Sequence, residues 1–317
     1  MTVSTEVYEV EKLKWKIISE YKDCDLSDAV EGDEKENDEG TFYNIGSKEE
    51  FEMKVPGRDD ARCSIRSNLQ LVSGIGEKTE MKLKDEGICD LVALHECGRY
   101  GDRVEKIVKA VDSENISEIQ SCIERWFTMS HPLSYDLMGL VDKEDLLFFD
   151  IETMGLRYRP VFLIGVGIYE KREFKVRQYL ARNLKEEKAI IHEFLSDMDE
   201  HGCLASFNGR SFDSRFLKER MEFHEMQGSF DKPHFDLLHI SRGAWKDDVP
   251  NHKLTTLEKH LFGEEREHDV ISSMVPNFYK MFLKKGNPGP LVPVIEHNRK
   301  DIVTLGRLVD LLAERYW

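Results

Sequence analysis

Asp150 and Glu152 stand two residues apart inside the apolar run LLFFDIETMGL (146–156). Side chains alternate along a β-strand, so the two carboxylates share a face. Like charges held that close in apolar surroundings are costly unless something positive joins them. Further acids fall at the ends of other elements. Asp213 lies where a strand passes into a helix, in SFNGRSFDSRFL, and Asp301 lies on the last helix, in EHNRKDIVTL. His297 precedes Asp301 by four residues and shares its helix face. Four carboxylates and a histidine brought to the open end of one sheet repel one another until divalent cations relieve them. Hard oxygen donors suit Mg²⁺ or Mn²⁺ rather than Zn²⁺. Two such ions about 4 Å apart hold the attacking and leaving oxygens of a phosphodiester. In that chemistry Asp150 and Glu152 are metal ligands, and His297 takes the proton from the attacking water. Taken singly, each acid also reads as an ordinary surface group, and Asp213 as a charge at a helix N-terminus. The set in one order points to chemistry.

The elements that must position these residues begin near residue 145. DLLFFDIET, VFLIGVGIYE and FKVRQYLA read as strands, the last two joined by the turn EKRE. NLKEEKAIIHEFLSDM is a helix opened by Asn183 with Glu186, and CLASFN is a fourth strand. Ser211 is placed to cap the helix FDSRFLKERMEF, and HFDLL is a short fifth strand. Thr255 with Glu258 forms a second capping-box pattern, stopped by Gly263. A final helix runs from about Val294 to Arg315, with Ile302, Leu305, Val309 and Leu312 at the helical period. The expected fold is a mixed five-stranded sheet flanked by helices: an antiparallel meander extended by helix crossovers.

The three motifs FFDIETMGL, SFNGRSFDSRFL and EHNRKDIVTL, in that order, resemble those of the DEDD-type ribonuclease H-like 3′-5′ exonucleases. With HFDLLHISRGAW and KLTTLEKHLFG they look like the YprB-type branch of that superfamily. The third motif combines histidine with a spacing of four, which elsewhere in the family accompanies tyrosine. The resemblance covers about residues 145–315. It implies that Asp150 bridges two metal ions, that Glu152 and Asp301 complete the first site, and that Asp213 reaches the second. It makes His297 the general base of an exonuclease that releases mononucleotides from the 3′ end of DNA or RNA. A ribonuclease H-type endonuclease and a non-catalytic nucleic-acid-binding scaffold are the alternative readings. Asn208, in the second motif, either contacts nucleic acid or shapes the loop before Asp213. Asp236 reads as structural, with support of the site from behind as the alternative, and Arg242, Trp245 and Lys253 read as solvated surface, with nucleic-acid contact as the alternative.

Upstream, residues 61–130 read as a helical unit. Within it LVSGIGEKTEMKLKDEGICDLVAL resembles a helix-hairpin-helix, two short helices joined by a glycine turn. Gly74 and Gly76 permit a close backbone approach, and Lys78 and Thr79 at the next helix start add phosphate contacts without reading sequence. Residues 1–60 begin with a short helix and hold the acidic stretch EGDEKENDEG, read as a solvated loop; TFYNI and FEMKV are the candidate hairpin.

Ten of the sixteen net negative charges fall in those first sixty residues, so the rest is only mildly acidic and a nucleic-acid partner is not excluded. The six cysteines form no CxxC pair and are too sparse for a disulfide framework. With no membrane-length apolar run and no signal-peptide pattern, the expected location is the cytoplasm.

Overall fold

The computed structural model describes residues 17–156, 158–266 and 270–316. The start of the short helix read at the N-terminus lies outside them. Seven strands form one sheet: β1 (Asp33–Asn37), β2 (Gly40–Glu49), β3 (Leu146–Thr153), β4 (Val161–Glu170), β5 (Glu173–Leu180), β6 (Cys203–Ser206) and β7 (His234–Asp236). Their order is β1-β2-β5-β4-β3-β6-β7. Helices α1 (Arg58–Ser67), α2 (Glu77–Asp85), α3 (Leu91–Glu96), α4 (Asp102–Asp112) and α5 (Ile116–Trp126) precede β3. Helices α6 (Glu187–Glu200), α7 (Asp213–Phe223), α8 (Leu237–Ala244), α9 (Val275–Lys285) and α10 (Leu291–Tyr316) follow the meander.

The expected five-stranded core is present. β3, β4 and β5 run antiparallel. The turn between β4 and β5 places Lys171 and Arg172 both at positive φ, the twist-matched geometry of a two-residue hairpin. β6 and β7 then add in parallel beside β3, after crossovers through α6 and α7. The sheet is wider than five strands because the acidic segment is structured. EGDEKENDEG supplies β1 and its turn, and β2 continues through TFYNI to pair with β5. FEMKV forms no strand. The charges of β1 face solvent on a sheet edge, where they discourage further pairing, so an edge strand and a loop share one composition.

The sheet divides two apolar layers. Along β3, Leu146 and Phe148 point into one, and Leu147, Phe149 and Ile151 into the other. By the same alternation Asp150 and Glu152 belong to the Leu146 face. That face is covered by α10, through Ile302, Leu305 and Val309, and the helical layer α1–α5 joins the same cluster with Ala61, Ile65 and Ile119. Residues 61–130 thus share a core with the sheet. On the outer edge, Gln120 of α5 pairs with both main-chain groups of His234 on β7, at 2.9 and 3.1 Å, completing a strand edge with a side chain.

Glycines set how closely α10 approaches. A Cβ on Gly165 of β4 would lie 2.3 Å from Asn298 Oδ1, and one on Gly167 would lie 2.7 Å from Ile302. A side chain at Gly165 would displace Asn298, and one at Gly167 would displace Phe174 and Ile302, so both positions keep the face that carries His297 and Asp301 close to the sheet. Among the described residues no helix is long and apolar enough to cross a membrane.

Candidate active site

Asp150 pairs across the sheet with Gly165, and Gly165 with Gln178 of β5, so one transverse row passes under α10. Asn298 reaches down over Gly165 and its Nδ2 donates to Asp150 Oδ2 at 2.8 Å. Gln178 Nε2 donates to Asn298 Oδ1 and to the Ile295 carbonyl, each at 2.8 Å. Asn298 and Gln178 are both fully buried.

Asp213 is the first residue of α7. The preceding turn is held from below: Asp236 Oδ1 accepts the Asn208 N–H at 2.8 Å and the Leu238 N–H at 3.2 Å. Asn208 has φ +64°, and Gly209 packs so tightly that a Cβ would sit 2.3 Å from Ser206 Oγ and 3.2 Å from Asp213 Oδ2. Asp236 is therefore the structural residue expected. Ser211 does not cap α7; it lies inside the turn, donating its N–H to the Asn208 carbonyl, and Phe212 occupies the cap position. Asp213 Oδ1 accepts the Ile151 N–H at 3.2 Å, which ties the second motif to β3.

Asp301 and His297 lie one turn apart on α10, with His297 Nε2 3.6 Å from Asp301 Oδ2. Arg266 donates from Nη2 to Asp301 Oδ1 and from Nε to Glu258 Oε2, the latter at 2.7 Å. Its Nη1 lies 3.3 Å from His297 Nδ1. Arginine only donates, so in that contact a neutral His297 accepts at Nδ1 and carries its proton on Nε2, which lies 3.4 Å from Ser272 Oγ; the protonated ring is the form that favours the neighbouring carboxylates. Glu258 does not complete a capping box with Thr255. It opens a π-helical turn, Glu258–Phe262, that swings its carboxylate inward to Arg266 and to Thr304 Oγ1 at 2.6 Å. Gly263 closes the turn at φ +69°, as its place in the sequence suggests.

Electrostatics couple the acids. Burial first, then the charges of Asp301, Asp213 and Glu152, hold the Asp150 carboxyl well above the usual range, with His297 acting the other way. Burial raises Asp213 to about 7 despite the Ile151 N–H, with Asp236 and Asp301 adding to the rise. Burial also raises Asp301, against the pull of His297 and Arg266. Acids in this position take up protons or a cation.

The geometry fits a hard divalent ion in donor type: carboxylate oxygens from three separate elements, Asp213 buried and Asp150 and Asp301 half-buried. Among the described residues, no three His, Cys, Asp or Glu side chains are already gathered at ligand spacing. Protein donors reach one oxygen of each aspartate: Asn298 on Asp150, the Ile151 amide on Asp213 and Arg266 on Asp301. A cleft of about 860 Å³ opens on this side, with His297, Asp301, Asn208, Arg242 and Lys253 in its wall. Asn208, Arg242 and Lys253 are exposed there, whereas Trp245 is buried in the core.

Gly74, Gly76, Lys78 and Thr79 belong to the helical layer and not to the acidic cluster. Gly74 takes φ +93°, and the Thr79 N–H bonds the Gly76 carbonyl at the start of α2. The helix expected before the turn is a single 3₁₀ turn, Leu69–Leu71, capped by Asn68. Gln178 and Arg266 belong to no motif that the sequence marks as chemical, Asn298 lies inside the third motif without a role read for it, and Glu258 reads there only as part of a helix cap. The available signal was a polar residue at an inward position. Gln178 follows Phe174 and Val176 on the inward face of β5, and Asn298 continues the Ile302–Leu305 stripe.

The RNase H superfamily model matches residues 147–313, which span all three motifs. Over 199 residues the chain is 34% identical to a Bacillus subtilis (strain 168) protein described as uncharacterized protein YprB, covering 60% of this chain and 47% of that protein. The chain thus spans about half the length of this relative. It is also similar to the family B DNA polymerase of the hyperthermophilic archaeon Pyrobaculum calidifontis, at 17% identity and a TM-score of 0.41, over 53% of this chain and 24% of that one. With just over half of its length matched by the superfamily model, the chain belongs to the RNase H superfamily.

Proposed function

We propose that this chain is a metal-dependent nuclease that hydrolyses phosphodiester bonds, acting as a 3′-5′ exonuclease on DNA or RNA. One arrangement carries the reading: aspartates from β3, α7 and α10, whose proton affinity is raised first by burial and, for Asp150 and Asp213, also by neighbouring carboxylates, stand beside a cleft whose wall includes Arg242 and Lys253. Asp150, Glu152, Asp213 and Asp301 would hold two Mg²⁺ or Mn²⁺ ions. When bound, such ions neutralise the scissile phosphate and acidify the attacking water. The chain's own part is to place the acids, to line the approach with Arg242 and Lys253, and to offer His297 as proton acceptor. That last role requires a bare Nε2, and so a tautomer opposite to the one the Arg266 contact imposes. Gly74, Gly76, Lys78 and Thr79 hold the nucleic-acid backbone away from the centre, and Asn208 touches it within the cleft.

The test uses purified protein, Mn²⁺, and 3′-labelled linear and circular oligonucleotides of DNA and RNA. Linear substrates are expected to shorten from the 3′ end, circles to survive, and Asp150→Ala to lose at least a hundredfold in rate. Activity that persists in Asp150→Ala or in chelator contradicts the proposal. Cleavage of circles replaces the exonuclease with an endonuclease.

A further inference from the structure

The donors that reach the aspartates are themselves fixed. Gln178 has two Nε2 hydrogens, and both are committed, one to Ile295 O and one to Asn298 Oδ1. Asn298 therefore presents nitrogen, not oxygen, to Asp150. On the other side, Glu258 holds Arg266 through two oxygens and is itself held by Thr304. The Arg266 and Glu258 side chains are 6% and 5% exposed, so neither guanidinium nor carboxylate moves without leaving a buried charge. Both supports end on a single oxygen of an acidic side chain: Asp150 Oδ2 and Asp301 Oδ1.

We infer that Asn298, oriented by Gln178, and Arg266, oriented by Glu258, are positioning residues that turn the second oxygen of Asp150 and of Asp301 toward a divalent cation. This rests on the metal reading above. Its physical basis is that groups outside the ligand shell fix the orientation of the ligands within it. The opposite reading is that Arg266 does the cation's work at Asp301 and must be displaced. The two differ in sign. A positioning arginine strengthens metal binding, and a competing one weakens it.

Calorimetric titration of the full chain with Mn²⁺ alone separates them, run below the melting temperature that each variant shows in chelator. Gln178→Met keeps the volume and deletes both donors; it is expected to weaken Mn²⁺ binding about tenfold or more. Arg266→Gln is expected to do the same. Arg266→Lys should not rescue it, because an ammonium lacks the planar fork that spans Glu258 and Asp301. The paired variant Glu258→Gln/Arg266→Gln removes the buried Glu258 charge that Arg266→Gln alone would strand, leaves Asp301 as the carboxylate whose metal affinity is read, and supplies the measurement if Arg266→Gln does not fold. Tighter Mn²⁺ binding in either Arg266→Gln protein, or unchanged binding in Gln178→Met, overturns the inference. Wild-type protein that binds no Mn²⁺ overturns the metal centre itself.

Discussion

Gly165 shows how much of the site depends on one missing side chain. It lies between Asp150 and Gln178 in the transverse row, and Asn298 occupies the space where its Cβ would be. Gly165→Ala should push Asn298 off Asp150 and lift α10. The expected cost is about 1–3 kcal/mol in chemical denaturation, typical of overpacking, with loss of Mn²⁺-dependent cleavage. Gly46→Ala on β2 meets nothing within 4 Å and serves as the control, with little change in either measurement. A Gly165→Ala protein as stable and active as wild type would contradict the packing argument. At this scale the sequence was legible where chemistry is rare. Two acids in an apolar run are conspicuous, whereas a glycine in a strand and an asparagine beside a histidine are not. Their meaning arises only when β4 and α10 are brought together.

The elements divide along a similar line. β3, β4, β5 and α10 were readable because long apolar runs and a sustained helical stripe leave few alternatives. The acidic β1 was not, since solvent-facing charge marks an edge strand and a loop equally. The π-turn at Glu258 was hidden for another reason: TTLEKHLFG carries the local capping pattern, and the pull of Arg266 and Thr304 on Glu258 overrides it. The turn before α2 offers a test of the helix-hairpin-helix resemblance. Gly74 needs glycine for its φ of +93°, but Gly76 has φ −99° and open space around it. The fold therefore does not require glycine at 76. Gly76→Val is expected to melt within a few degrees of wild type while weakening binding to a labelled DNA or RNA duplex severalfold. Equal affinity would remove this turn from the nucleic-acid interface.

Across the whole molecule the arrangement separates charge from chemistry. β1, the most acidic strand, is four places from β3 in the sheet. At the usual strand spacing that is roughly 19 Å, beyond the Debye length of about 10 Å at 0.1 M salt. The two net negative charges of β1 therefore oppose an anionic polymer at the cleft only weakly. The helical layer shares its core with α10 and closes the β7 edge through Gln120, so it steadies the sheet whatever it binds. Length and composition alone conveyed none of this, because burial shared between distant segments has no local signature.

The most direct test is a crystal soaked in MnCl₂ and examined for anomalous scattering. The account predicts a manganese peak bounded by Asp150, Glu152, Asp213 and Asp301, with Asn298 and Arg266 still holding the outer oxygens of Asp150 and Asp301. A difference map without such a peak, at a manganese concentration that supports cleavage in solution, would contradict it.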